Sequence, residues 1–202
     1  MTARTDKIIA IGRSYGAGGR TIGKEVSQEL GIPYYDSEIL TETARNSGLT
    51  EKYLESVDEK EINDATLYMS VGYMNPMYVS VKQIAANAQR EVIEKIAAQG
   101  PCVIVGRRAN EILKEKDNLL SVFITASVET RTRHIMEREG LDEKLARKKV
   151  IKVDKERTAY YNQFGGSAWG YAETYDICIN TDAIGAPDAV RLIECLAGDC
   201  RG

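Results

Sequence analysis

Histidine is nearly missing from this sequence. His134 is the single one among 202 residues, and its charged helical surroundings predict a solvated surface position. That isolation argues against Ser-His-Asp chemistry, which needs an imidazole beside its nucleophile. The four cysteines have no histidine partner and no metal-ligand spacing, which argues against a metalloenzyme. Cys102 in CVIVG and Cys178 in DICIN read as buried strand thiols, and Cys195 and Cys200 as reduced thiols. No apolar run reaches the roughly 18 residues of a membrane span. The opening Met1 to Asp6 is short and polar, unlike a signal peptide. No membrane partner and a cytoplasmic location are therefore expected. The formal net charge is −3, so no nucleic-acid partner is expected, although clustered arginines allow a local basic cleft.

What is present is an alternation of short apolar runs and amphipathic stretches. Lys7 to Gly12 (KIIAIG) predicts a buried strand that ends at glycine. Ile22, Val26 and Leu30 recur at four-residue spacing, one face of a helix over Thr21 to Leu30 that Gly31 stops. Ile32 to Tyr35, Cys102 to Gly106, Leu119 to Thr125 and Asp176 to Asn180 predict four further strands. Between them, Ser37 to Asn46, Thr50 to Ile62, Val81 to Ile96, Glu129 to Arg138 and Asp142 to Tyr161 read as helices. Val190, Ile193 and Ala197 mark a closing helix. Asn63 to Tyr78, rich in Met and Tyr, reads as a self-packed loop, and Gln163 to Gly170 as a glycine-rich one. Buried strands alternating with helices imply an α/β fold whose parallel sheet is covered on both faces. Ligands then bind beyond the carboxyl ends of the strands, where Gly12, Asp36 and Gly106 fall.

The first strand leads into Ser14-Tyr15-Gly16-Ala17-Gly18-Gly19-Arg20-Thr21. Compared with the phosphate-binding pattern G-x-x-x-x-G-K-[ST], Ser14 replaces the first glycine and Arg20 the lysine. Taken alone, the glycine run is also compatible with a plain strand-to-helix turn. The preceding strand, the following helix and the Arg20-Thr21 pair favour phosphate binding. Glycines turn backbone N–H groups inward, and the helix N-terminus favours anions. Arg20 can neutralise phosphate charge, and Thr21 can offer its hydroxyl to Mg²⁺.

The stretch IIAIGRSYGAGGRTIGKEVSQELGIPYYDSEIL resembles the opening of the cytidylate-kinase-like family. VIVGRRANEIL, FITASVETRTRHIMEREG, DKERTAYYNQFGGSAWG and YDICINTDAIG continue the resemblance in order. It implies a P-loop three-layer fold in one domain over 1–202. That fold has a five-stranded parallel sheet, a helical acceptor-binding region at about 36–98 and a lid at about 142–170. By the same resemblance, Gly106-Arg107 matches a Gly-Arg that contacts the acceptor phosphate, and Asp36-Ser37 an Asp-Ser on the acceptor side. Asp154 and Arg157 match a lid pair, and Arg131 an arginine on the lid-side helix. Where cytidylate kinases commonly place an Asp near the base, Arg108 stands here, and Thr41-Glu42 replace an acceptor-helix arginine.

These readings converge on ATP-dependent phosphorylation of a small nucleotide, CMP or dCMP first, with ATP and Mg²⁺ as cofactors. Ser14 to Thr21 and Arg131 are the expected ATP contacts, and Thr21 the metal contact. Arg20, Arg107 and Arg157 are the expected catalytic cations. Asp36, Ser37, Arg107, Arg108, Asp154 and Arg157 are the expected acceptor contacts. The alternatives are a nucleotide-binding regulator without turnover, or a kinase for a different metabolite. The chain is expected to act as a monomer or homodimer.

Overall fold

The computed structural model describes residues 4–36, 38, 39, 42, 45, 46, 81–164 and 168–198, with backbone alone for 81–85. Five strands form one parallel sheet: β1 (Ile8–Arg13), β2 (Tyr34–Tyr35), β3 (Cys102–Val105), β4 (Leu119–Thr125) and β5 (Ile177–Asn180). Their order is β2-β3-β1-β4-β5. β1 lies at the centre, pairing Ile9 with Val103 on one side and with Leu120 on the other. Ile8 to Ile11 are buried on both faces, as an uninterrupted apolar run in a covered sheet requires.

The helices are α1 (Gly19–Leu30), α2 (Val81–Ala98), α3 (Ala109–Ile112), α4 (Val128–Glu139), α5 (Glu143–Phe164) and α6 (Thr181–Leu196). One face of the sheet buries Ile9, Ile11, Val105 and Ile124 against Ile22, Val26 and Leu30 of α1 and Ile193 of α6. The other face buries Ile8, Ala10 and Ile104 against Val92 and Ile93 of α2 and Ile112 of α3. Each of these large side chains contributes about 1.5–3 kcal/mol relative to exposure. α4 and α5 have a smaller core of their own, built on Ile135, Ala146 and Val150.

Several local expectations change. β2 covers only Tyr34–Tyr35, because the Ile32 N–H turns back to the Ser27 carbonyl at 3.1 Å and Pro33 has no N–H to give. α5 runs on to Phe164, and its last turns carry the Tyr160–Phe164 ring pair at 5.6 Å, an i,i+4 contact. α6 is kinked at Gly185, whose φ is 76°, two residues before Pro187. Cys178, expected inside, is exposed, because the outer strand β5 turns it to solvent. Cys195, expected as a free thiol, is disulfide-bonded. Thr50 to Ile62 and Asn63 to Tyr78 lie outside the described residues, and so does Ser37.

Because all strands run one way, Arg13, Asp36, Gly106 and Thr125 gather on one edge of the sheet. α1 can start there only by lying close to the sheet. A Cβ on Gly23 would stand 2.9 Å from Val105 Cγ2 and 3.2 Å from Ile11 Cδ1, both in fully buried side chains. Gly23→Ala gains up to about 1 kcal/mol of helix propensity. Overpacking typically costs about 1–3 kcal/mol. The expected net effect is destabilisation, seen as a lower midpoint in urea unfolding.

Candidate active site

The turn after β1 is fastened from three directions. The Ser14 N–H donates to the Ile124 carbonyl at 2.9 Å, and Ser14 Oγ lies 3.2 Å from Thr125 Oγ1. The serine in the first glycine position thus ties the loop to β4. Gly16 (φ 82°) and Gly18 (φ 84°) hold left-handed conformations. A Cβ on Gly16 would stand 2.9 Å from the Arg131 carbonyl, so only glycine lets the loop approach α4 this closely. His134, expected in solvent, is exposed but places Nδ1 2.9 Å from the Gly16 carbonyl.

The third fastening is an ion pair between buried Arg131 and half-buried Asp154. Arg131 and Asp154 bond through Nη1 and Oδ2. Arg131 Nη1 also donates to the Tyr15 carbonyl at 3.2 Å, and Nε to the Ala126 carbonyl at 2.9 Å. Asp154 Oδ1 accepts the Tyr15 N–H at 2.7 Å. The pair therefore holds both backbone polar groups of Tyr15. Around the Tyr15 ring, the guanidinium carbons of Arg138 and Arg157 lie 5.1 and 5.3 Å from its centroid. The Tyr15 hydroxyl donates to Glu139 Oε1 at 2.7 Å and accepts from Arg138 Nη2 at 2.7 Å. Burial, and then the Glu139 bond, push the Tyr15 pKa up.

α1 begins at the open end of this loop. Ser127 Oγ caps α4 and Asn180 caps α6, but no side chain caps α1. The N–H groups of its first turn have no intrahelical acceptors, and its dipole favours an anion there. Thr21 is exposed, and among the described residues nothing bonds its hydroxyl. The uncapped helix end and the Gly16–Gly18 cradle fit a nucleotide phosphate, and the Thr21 hydroxyl fits a hard cation.

Arg20 points its Nε at Asp36 Oδ2 at the end of β2, with the side chain 66% exposed. Asp36 is buried, and its Oδ1 lies 3.9 Å from Arg13 Nη2. Arg13 had no motif to announce it. Its one signal is a charged residue closing the apolar run IIAIG at the ligand edge. Its guanidinium lies over Gly106, where an added Cβ would collide with it.

Beyond Gly106 the backbone is strained. Arg107 and Arg108 both have φ 57°, unusual for residues with a Cβ, and such geometry clusters at functional sites. It turns both side chains into a narrow cleft of about 30 Å³, whose walls include Arg13, Arg157, Tyr160, Tyr161, Trp169 and Tyr175. Arg108 Nη2 donates to the Phe164 carbonyl at 2.6 Å, and burial pulls its pKa down. Arg157 Nη1 donates to the Arg13 carbonyl at 3.2 Å, which docks α5 on the loop. The structure thus brings Arg20, Asp36, Arg107, Arg108 and Arg157 to one edge. Arg131 and Asp154 stand behind the loop and hold it.

A central parallel strand, a glycine-rich loop and an uncapped helix thus meet at one edge of the sheet. The chain belongs to the cytidylate kinase-like family, which it matches over residues 8–183. It is 34% identical to an uncharacterized protein from Eubacterium ventriosum ATCC 27560 (TM-score 0.72), covering 95% of this chain and 98% of that one. It shares its fold with shikimate kinase from Bacteroides thetaiotaomicron, at 15% identity and TM-score 0.54, over 95% of this chain and 98% of that one. TT1252 from Thermus thermophilus has the fold too, at 15% identity and TM-score 0.57, over 98% and 100% of the two chains. No curated protein matches the chain. Among the described residues, no helix is long and apolar enough to cross a membrane.

Glu139 gives a pH test of the loop fastening. Hydrogen bonds from Arg138 and Lys149, with Tyr15, hold its pKa down from 4.5 to about 2. A depressed carboxylate stabilises the fold above its unfolded pKa and loses that contribution as pH falls through the folded value. Glu139→Gln is expected to melt lower than the native chain at pH 7. The gap should close as pH falls from about 4.5 toward 2, measured by melting temperature against pH.

Proposed function

We propose that this chain transfers the γ-phosphoryl group of ATP, with Mg²⁺, to a small acceptor, and that CMP and dCMP are the first acceptors to assay. The observation that carries this reading is the uncapped N-terminus of α1 behind the Gly16–Gly18 cradle, flanked by guanidinium groups on the acceptor side. Phosphoryl transfer asks a protein for alignment and charge neutralisation more than for a nucleophile. The backbone of Gly16 to Thr21 holds the donor phosphates, and the Thr21 hydroxyl the metal. Arg20, Arg107 and Arg157 neutralise charge around the transferred group. Asp36, Arg107 and Arg108 face the acceptor. Ser37 joins them by the family pattern, although it lies outside the described residues. Arg131 and Asp154 keep the loop in its binding shape. The segment at about 142–170 serves as a lid that excludes water once both substrates are bound. The chain works as one cytoplasmic domain, as a monomer or homodimer.

One observation favours a second reading, a nucleotide-binding regulator without turnover. Arg20, in the position usually held by lysine, is drawn to Asp36. ADP release measured over a panel of nucleoside monophosphates and metabolites separates the two. Acceptor-stimulated release supports transfer. ATP binding without stimulated release supports the regulator. On the transfer reading, Arg20→Ala lowers kcat by on the order of 100-fold. Arg20→Lys restores only part, because the planar fork is lost. Near-native turnover in Arg20→Ala removes Arg20 from the machinery.

A further inference from the structure

Tyr15 is the one aromatic residue in the turn from Ser14 to Thr21, and α5 holds it twice. Asp154 Oδ1 accepts its N–H at 2.7 Å, and one turn further along α5 the guanidinium carbon of Arg157 lies 5.3 Å from its ring centroid. Residues three apart share a helix face, so Asp154 and Arg157 meet the turn together. Arg157 Nη1 also donates to the carbonyl of Arg13, two residues before Tyr15, at 3.2 Å. The ring beneath this guanidinium is itself held. Its hydroxyl donates to Glu139 Oε1 and accepts from Arg138 Nη2, each at 2.7 Å. Its backbone is fastened by Arg131 and Asp154.

The backbone fastening uses main-chain atoms alone, so it does not explain an aromatic side chain at this position. What the ring adds is a face whose quadrupole attracts a cation. A guanidinium on a long stem has many rotamers, and ordering it costs free energy. Resting on a fixed ring, it has met that cost before a ligand arrives, which is preorganisation. We propose that Tyr15 is a positioning residue, whose ring presents Arg157 to the terminal phosphate of the donor nucleotide. The inference rests on the phosphotransferase reading and deepens it. Backbone N–H groups of the turn serve a diphosphate and a triphosphate alike. The Tyr15 side chain, acting through Arg157, then supplies preference for the triphosphate.

Calorimetry on the full chain with Mg²⁺ tests it, comparing a non-hydrolysable ATP analogue with ADP. Failure of the native chain to bind either nucleotide overturns the phosphate-binding reading, and the proposal with it. The native chain is expected to prefer the analogue. Tyr15→Phe, which keeps the ring, should retain that preference. Tyr15→Leu, which keeps apolar bulk without the ring, should reduce it about three-fold or more and leave ADP affinity unchanged. Arg157→Gln should reduce it as well, and adding Tyr15→Leu to that variant should bring no further loss. If Tyr15 only shaped the turn, Tyr15→Leu would weaken both nucleotides equally, and that result overturns the proposal. So does a native chain that binds ADP and the analogue equally, a Tyr15→Leu variant that keeps the native preference, or an equal loss in Tyr15→Phe. Should Tyr15→Leu not fold, Tyr15→Met, with its adaptable unbranched chain, takes its place with the same expectations.

Discussion

The ion pair of buried Arg131 with half-buried Asp154 is the constraint on which the rest of the site depends. A glycine-rich turn has many conformations, and each residue fixed costs about 1–2 kcal/mol of backbone entropy. This loop is fixed because one ion pair takes both backbone polar groups of Tyr15, one through each partner. The arrangement couples three elements. Arg131 comes from α4, Asp154 from α5, and Tyr15 from the turn that opens α1. Removing one partner of such a pair leaves a buried charge unbalanced, typically at about 3–5 kcal/mol. The pair therefore does more to hold the loop than to stabilise the chain. The Tyr15 ring, set between Arg138 and Arg157, extends the same fastening to the outside.

Much of the fold can be read from periodicity. IIAIG, CVIVG and LLSVFIT are buried on both faces, and Ile22, Val26 and Leu30 do form the inner face of α1. The strand order cannot be read that way, since every buried strand looks alike. The misjudged boundaries have local causes, such as the return of the Ile32 N–H to Ser27. The glycine-rich turn from Ser14 to Thr21 was legible because its pattern is local in sequence. The cleft was legible only in part. Arg107 and Arg108 adjoin a glycine at a strand end, whereas Arg13 and Tyr175 meet them only through the sheet order. The contact of His134 with Gly16 spans 118 residues and leaves no trace in the local pattern.

The loop from Ser14 to Thr21 differs from the phosphate-binding pattern at two side chains, and both have physical uses. Ser14 gains a tie to Thr125, and Arg20 reaches across to Asp36. Arg20 thus links the start of α1 to the end of β2 through one carboxylate, which a lysine with its single point charge would do less well. Arg13, Arg107, Arg108 and Arg157 gather on the cleft beyond Gly106.

The most direct measurement is the affinity for Mg·ATP, by calorimetry, of the native chain and of Asp154→Asn. That substitution keeps the shape of the side chain and removes its charge. The account predicts one tight site in the native chain and a loss of about ten-fold or more in the variant, equivalent to about 1.4 kcal/mol. Circular dichroism should show the helices still present. An Asp154→Asn variant that binds Mg·ATP as tightly as the native chain would contradict the claim that this pair shapes the phosphate loop.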